Sequence, residues 1–256
     1  MTIITDPLFY ALAIPAVVAL GLSKGGFAGA GQMATPMLAM VMPPLEAAAV
    51  MLPIMILQDS VALWVYRKDW DGRILTIMLP GALIGIGLAW LLAAYISDAA
   101  VRIFIGVIAL SFAVYSWVNT LRVPRERTKA GIPSGVVLGA TAGFTSTLCQ
   151  VGGPPFQIYL LAQRLPKMTF VGTSAIFFAS LNWLKVVPYM ALGQFSTKGL
   201  TTSLVLVPLA LLTNQLGFWL VRRTPQEVFF KITLVLMGVI SIGLLRSGIL
   251  GLLHDH

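Results

Sequence analysis

Six apolar runs, at about residues 45–65, 74–94, 100–121, 169–190, 199–221 and 228–250, each come close to the ~20 residues that a helix needs to cross a bilayer. Four shorter runs, at about 8–24, 32–42, 132–148 and 155–163, flank two glycine-rich interruptions. This pattern leaves little chain for an extramembrane domain, and the composition agrees: 58% of residues are hydrophobic and 10% are charged, with a mean hydropathy of +0.90. The lipid bilayer is therefore the expected solvent. The expected fold class is an all-α polytopic membrane protein, with about 8 hydrophobic segments by simple hydropathy and up to about 10 crossings.

The two interruptions are Ser23-Lys24-Gly25-Gly26-Phe27-Ala28-Gly29-Ala30-Gly31-Gln32 and Thr147-Leu148-Cys149-Gln150-Val151-Gly152-Gly153-Pro154-Pro155. They fall at matching places in the two halves, the pattern of a transporter whose site lies between internal repeats. Each pair of short runs reads as a hairpin with its tip in mid-membrane.

The net charge of +8 would suggest nucleic acid for a soluble chain; here the basic residues set topology instead, and no nucleic-acid partner is expected. Arg67, Lys68 and Arg73, then Arg122, Arg125, Arg127 and Lys129, then Arg164 and Lys167, then Arg222 and Arg223 occupy four loops. All four come to one face if each hairpin returns to the side it entered from, leaving Arg102, Lys198 and Arg246 opposite. The positive-inside rule then puts both termini outside and the basic linker in the cytoplasm. The halves acquire opposite orientations. The expected organisation is an inverted repeat, with residues 1–121 as the first transmembrane repeat, 122–131 as a cytoplasmic linker and 132–256 as the second. A slide of 123 positions pairs Gly29 with Gly152, Pro43 with Pro166, Asp59 with Asn182 and Tyr66 with Tyr189. Met1 to Pro7 carries Asp6 and no Lys or Arg, unlike the basic start of a cleaved signal, so the N-terminus is expected to be mature.

The first interruption followed by Pro36, and above all Gln150-Val151-Gly152-Gly153-Pro154-Pro155 with Tyr159-Leu160 behind it, resembles the signatures of the TauE/SafE family of anion permeases, the sulfite exporter family. The resemblance spans essentially the whole chain in length, span pattern and basic linker. It implies an all-helical inner-membrane secondary transporter for sulfite or organosulfur anions such as sulfoacetate and other sulfonates. The first motif departs from a run of adjacent glycines, reading Gly29-Ala30-Gly31-Gln32.

The residues support the same chemistry. A helix restarting in mid-membrane offers unpaired N–H groups and the positive end of its dipole to an anion. Pro154 suits the first turn of such a helix, and Gly29, Gly31, Gly152 and Gly153 allow close approach of backbone to an oxyanion. The competing explanation is close helix packing. Lys24, Asp59 and Lys185 are ionisable groups inside the apolar zone, where such groups are costly. Lys24 is the expected counter-charge to the anion, and Asp59 is a candidate for proton coupling. Lys185, Asn214 and Gln215 are coupling or structural candidates. Gln32 and Gln150 could donate amide N–H groups, Asn182 could contact ligand with Trp183 walling the site, and Thr35, Thr147 and Thr173 could add hydroxyls. Cys149, the single cysteine, excludes a disulfide and reads as a packing residue. No cofactor motif and no metal-ligand spacing occurs.

An intramembrane enzyme would need a base or metal ligands in the spans, whereas both histidines, His254 and His256, are terminal. A small-anion channel uses similar groups and is the main alternative; a scaffold would not need polar breaks at the midplane. The sequence leaves the anion, direction, coupling ion and oligomeric state open.

Overall fold

A computed structural model of the chain describes residues 3–24, 30–93, 95–121, 131–221 and scattered positions between 235 and 253. Among these residues all regular structure is helical: α1 (Pro7–Lys24), a 3-10 turn (Ala30–Met33), α2 (Ala34–Leu38), α3 (Pro44–Val65), α4 (Gly72–Ala93), α5 (Asp98–Leu121), α6 (Ile132–Cys149), α7 (Gly153–Ala162), α8 (Lys167–Ala191) and α9 (Thr197–Val221). Six of them, α1, α3, α4, α6, α8 and α9, are long and apolar enough to cross a membrane. The protein is a multi-pass membrane protein. The expected linker, apart from Gly131, and most of the expected span at 228–250 lie outside the described residues.

The helices are built for lipid on the outside and tight packing within. In α4, Ile74, Leu75, Met78, Gly81, Ala82, Gly85, Ile86 and Ala89 face inward at helical spacing. The opposite face shows Leu83, Ile84, Leu88 and Leu91 outward, as a hydrocarbon solvent permits. Buried positions are often small, and that decides how helices meet. A Cβ on Gly81 or Gly85 would strike the α6 backbone at Val136 or Ala140, and one on Gly139 or Gly143 would strike α4 at Met78 or Ala82. The α4–α6 seam therefore depends on backbone-to-backbone approach, the usual solution where hydrophobicity no longer drives helices together. The α1–α9 seam is similar: Gly217 lies against the Gly21 carbonyl and Leu22, and the Thr213 hydroxyl donates to the Ala210 carbonyl at 3.0 Å and to the Val17 carbonyl at 3.4 Å.

Some residues 123 positions apart in the chain have similar surroundings. Pro43 and Pro166 precede α3 and α8 with near-identical backbone angles, φ −55 in both and ψ 137 and 147. Tyr66 donates its hydroxyl to the Lys24 carbonyl at 3.4 Å, and Tyr189 donates to the Thr147 carbonyl at 2.5 Å, each spanning 42 residues. α3 and α8 cross where Asn182 donates to Asp59, 123 residues away.

The helices that follow the two interruptions differ in length. α6 runs to Cys149, Gln150 takes a left-handed conformation (φ 58), and α7 then restarts for 10 residues. Past the first interruption the chain makes the 3-10 turn and only five residues of α2. The Arg102 guanidinium reaches over from α5 and donates to the carbonyls of Ala39 and Met42 at 3.2 and 3.4 Å, satisfying acceptors that so short a helix leaves open.

Candidate functional site

Lys24 is the last residue of α1, and its ammonium forms a salt bridge with Asp59 Oδ1 in α3. Asp59 is fully buried; Lys24 keeps 13% of its side chain exposed. On the other side of the carboxylate, Asn182 Nδ2 of α8 donates to Oδ2 at 2.6 Å. The carboxylate is an acceptor on both oxygens, which sets the Asn182 amide with its nitrogen toward Asp59.

Lys24 and Asn182 both reach a cavity of about 120 Å³. Leu20, Ser23 and Lys24 of α1, Gly31 and Gln32 of the 3-10 turn, Ser146 and Gln150 at the end of α6, and Gly153, Phe156 and Gln157 of α7 form most of its wall. α8 completes it with a stripe from Asn182 through Phe178 and Ser174 to Phe170, residues four apart and therefore on one helix face. The wall is mainly apolar, and Phe156 stacks on buried Phe177 at 4.4 Å and meets Phe178 edge-on at 5.1 Å. The lining is amphipathic: it combines the Lys24 cation and the amides of Gln32, Gln150, Gln157 and Asn182 with the rings of Phe156, Phe170 and Phe178.

Of the residues expected at a site, Lys24, Gly31, Gln32, Gln150, Gly153 and Asn182 line this cavity. Gly29 lies outside the described residues. Gly152 is a packing residue here, since a Cβ would meet the Ala142 carbonyl and Ser146 Cβ at 2.7 and 2.8 Å. A Cβ on Gly153 would collide with the Gln32 amide, so this glycine lets Gln32 lie across the start of α7. Pro154 is in the first turn of α7, buried and off the cavity. With Pro155 it removes two N–H groups from that turn, leaving fewer donors than a helix start usually offers. Gln32 Oε1 is buried without a hydrogen-bond donor.

Trp183 is 58% exposed and points away. It follows Asn182 by one residue, a rotation of about 100° that carries it to the lipid side. Gln215 is likewise on the outer face of α9. Asn214 is buried between α9 and α3, where Nδ2 donates to the Gln58 carbonyl at 3.3 Å. Thr35 is buried off the cavity with its hydroxyl lacking a partner; Thr147 donates to the Gly143 carbonyl at 2.8 Å; Thr173 accepts from the Asp71 N–H at 2.9 Å. Cys149 is buried, its thiol on the Thr145 carbonyl. Among the described residues no cluster of three or more His, Cys, Asp or Glu side chains could hold a metal.

Lys185 is fully buried behind the cavity. Its ammonium donates to Ser146 Oγ at 2.9 Å, to the Ser146 carbonyl at 3.3 Å and to Gln150 Oε1. Gln150 Nε2 in turn donates to the Ala48 carbonyl at 3.4 Å. Lys185 thus holds the left-handed Gln150, a costly conformation for a residue with a side chain, at the point where α6 breaks.

Phe156, Gln157, Ser146, Phe170, Ser174 and Phe178 had not been singled out from sequence. The signal was present for the last three, which lie at multiples of four residues before Asn182. For Phe156 and Gln157 it was the face of α7 continuing from Gly153.

The family model for the sulfite exporter TauE/SafE matches residues 13–244. The chain belongs to the sulfite exporter TauE/SafE family. No curated protein and no solved structure matches it. Membership covers both interruptions and all of the cavity wall, and the family description is that of an exporter, a transporter of a small anion, rather than of an enzyme.

Proposed function

We propose that this TauE/SafE protein is an inner-membrane secondary transporter of organosulfur anions, binding one anion in the cavity between the two interruptions. The observation that carries the reading is Lys24, a cation at the wall of a cavity that is lined also by amides and by the rings of Phe156, Phe170 and Phe178. The anionic head sits at Lys24, Gln32 and Asn182, and the hydrocarbon body lies against Phe156, Phe170 and Phe178. The aromatic part of the lining supports this: bare sulfite in a cavity of about 120 Å³ would leave the phenylalanine rings facing water, whereas an organic group covers them.

The repeats, 1–121 and 132–256, are inverted and move against each other in alternating access. The matched Tyr66 and Tyr189 bonds and the Asp59–Asn182 crossing support equivalence of the halves. Both termini face the periplasm. On that topology the cavity, which follows α8 from Asn182 to Phe170, leads toward the cytoplasm. The other end is closed by Lys185, Gln150 and Tyr189, all buried. That closure favours a transporter over a channel. Asp59 is the coupling group, because it is the carboxylate joined to the anion's lysine.

A thermal-shift panel of sulfite, sulfate, sulfoacetate, taurine and benzenesulfonate tests the reading. A true ligand at about 100 times its Kd stabilises the fold by about 2.7 kcal/mol. No shift with any member sinks it, and sulfonate uptake into liposomes without saturation or counterflow would return the channel.

A further inference from the structure

We infer that Asp59 and the substrate anion compete for Lys24, so that one proton on Asp59 converts the cavity from anion-excluding to anion-binding and the two ions cross together. This rests on the anion-transport reading and names how that site is switched.

As described, Lys24 is already neutralised. Its ammonium is joined to Asp59 Oδ1, so an arriving anion meets a pair of net charge zero. Asn182 is partly committed as well: one of the two hydrogens on its Nδ2 goes to Asp59 Oδ2, which fixes the amide and leaves one N–H at most for the cavity it lines.

Protonation of Asp59 changes both groups. A proton from the aqueous side binds the carboxylate, which becomes a neutral acid; no other bond is made or broken in the protein. The Lys24 charge is then uncompensated and available to a sulfonate. With the proton on Oδ2, the acid is a donor, and the Asn182 amide rotates to accept it through Oδ1. Its Nδ2 is then released from the acid, so the anion gains a full charge and the second amide hydrogen from one protonation. The bound state keeps the same net charge as the empty one: proton and monoanion have both been added. An apolar interior strongly favours that balance, because an unpaired charge there is costly.

The charged and titratable groups around Asp59 leave the exchange to this pair. α1 supplies Lys24; α8 supplies Lys185, whose charge acts on both Asp59 and Lys24 but which is held in place by Ser146 and Gln150 with no hydrogen bond to the carboxylate; α6 supplies buried Cys149, bonded to the Thr145 carbonyl. α5 contributes Arg102, bound to carbonyls after α2. On α9 the facing groups are the neutral Asn214 and Thr213; on α3 itself Glu46 is in the first turn, more than three turns away, and the Tyr66 hydroxyl at its end donates to the Lys24 carbonyl.

The test is calorimetric titration of benzenesulfonate into the purified protein at several pH values, in buffers of different ionisation enthalpy. The probe stays ionised throughout, so pH dependence belongs to the protein. Expected is uptake of about one proton per anion, with affinity falling up to about ten-fold per pH unit as pH rises. Asp59→Asn, a mimic of the protonated acid, should bind with pH-independent affinity at least equal to that of wild type at low pH, and with no proton uptake. In liposomes, wild-type uptake should follow a pH gradient and ignore membrane potential. Binding without proton uptake in wild type, or an unchanged pH dependence in Asp59→Asn, overturns the competition while leaving the site. Absence of binding in both folded proteins overturns the site and the competition together.

Discussion

Lys24 and Lys185 are two cations inside the same apolar zone, each near a chain break, yet they are held in opposite ways. Lys24 has a charged partner, Asp59, and a partly exposed side chain at the cavity wall. Lys185 is fully buried and held by neutral oxygens of Ser146 and Gln150. A cation bound to neutral acceptors in the interior is fixed in place, since no arriving ion can reach it. A cation bound to a carboxylate beside a cavity is exchangeable, because another anion or a proton can replace the partnership. On the proposed function, the difference gives Lys24 to the ligand and Lys185 to the shape of the break.

Substitutions that separate charge from partner sharpen this contrast. The largest effect is expected from Lys24→Ala, which strands Asp59 as an unpaired buried charge. Breaking a buried pair from one side costs about 3–5 kcal/mol, read as a fall in the thermal midpoint, and Asp59→Asn in the same chain should recover most of it. If Lys24→Ala alone is as stable as wild type, the substitution does not leave Asp59 as an unpaired buried charge.

Lys185→Met removes a charge but strands only neutral acceptors, at about 1–3 kcal/mol. No second-site carboxylate change should rescue it, and its benzenesulfonate affinity should fall less than that of the Lys24/Asp59 double variant. Rescue by Asp59→Asn would erase the distinction between the two lysines.

Gly153→Ala is expected to cost about 1 kcal/mol in stability, because the methyl group meets the movable Gln32 amide rather than backbone. Its sign is clearer in binding, where displaced Gln32 should weaken benzenesulfonate several-fold. Trp183→Leu should be the mildest, within about 0.5 kcal/mol and without effect on binding, as its indole faces lipid.

Much of the architecture was legible in the sequence, because a bilayer constrains length and polarity so strongly: α3, α4, α5, α8 and α9 fall within a few residues of the runs drawn for them. The position of the second break was legible for the same reason, since Gly152 to Pro155 cannot continue a helix smoothly. The short α2 was not, because 3-10 turn and helix share the same apolar composition. Within the site, polarity marked Lys24, Gln32, Gln150 and Asn182, but apolar walls leave no such mark. Phe170 and Phe178 look like any lipid-facing phenylalanine until Asn182 fixes the face of α8. Trp183 drew attention by adjacency in sequence, where helical phase was the better guide. The Lys24–Asp59 pair joins positions 35 apart across a break, and no local periodicity encodes it. The glycines were ambiguous for a physical reason: close approach serves packing and ligand alike, and Gly152 proves to be used for packing.

The most direct measurement is calorimetric titration of benzenesulfonate into wild type and into Lys24→Ala/Asp59→Asn, a double variant that removes both charges and so leaves neither stranded. Expected is one saturable site in wild type at low pH, weakened by about ten-fold to over a hundred-fold in the double variant, the equivalent of losing a charged hydrogen bond of about 1.5–3 kcal/mol. Equal affinity in the two folded proteins would contradict a site built on Lys24.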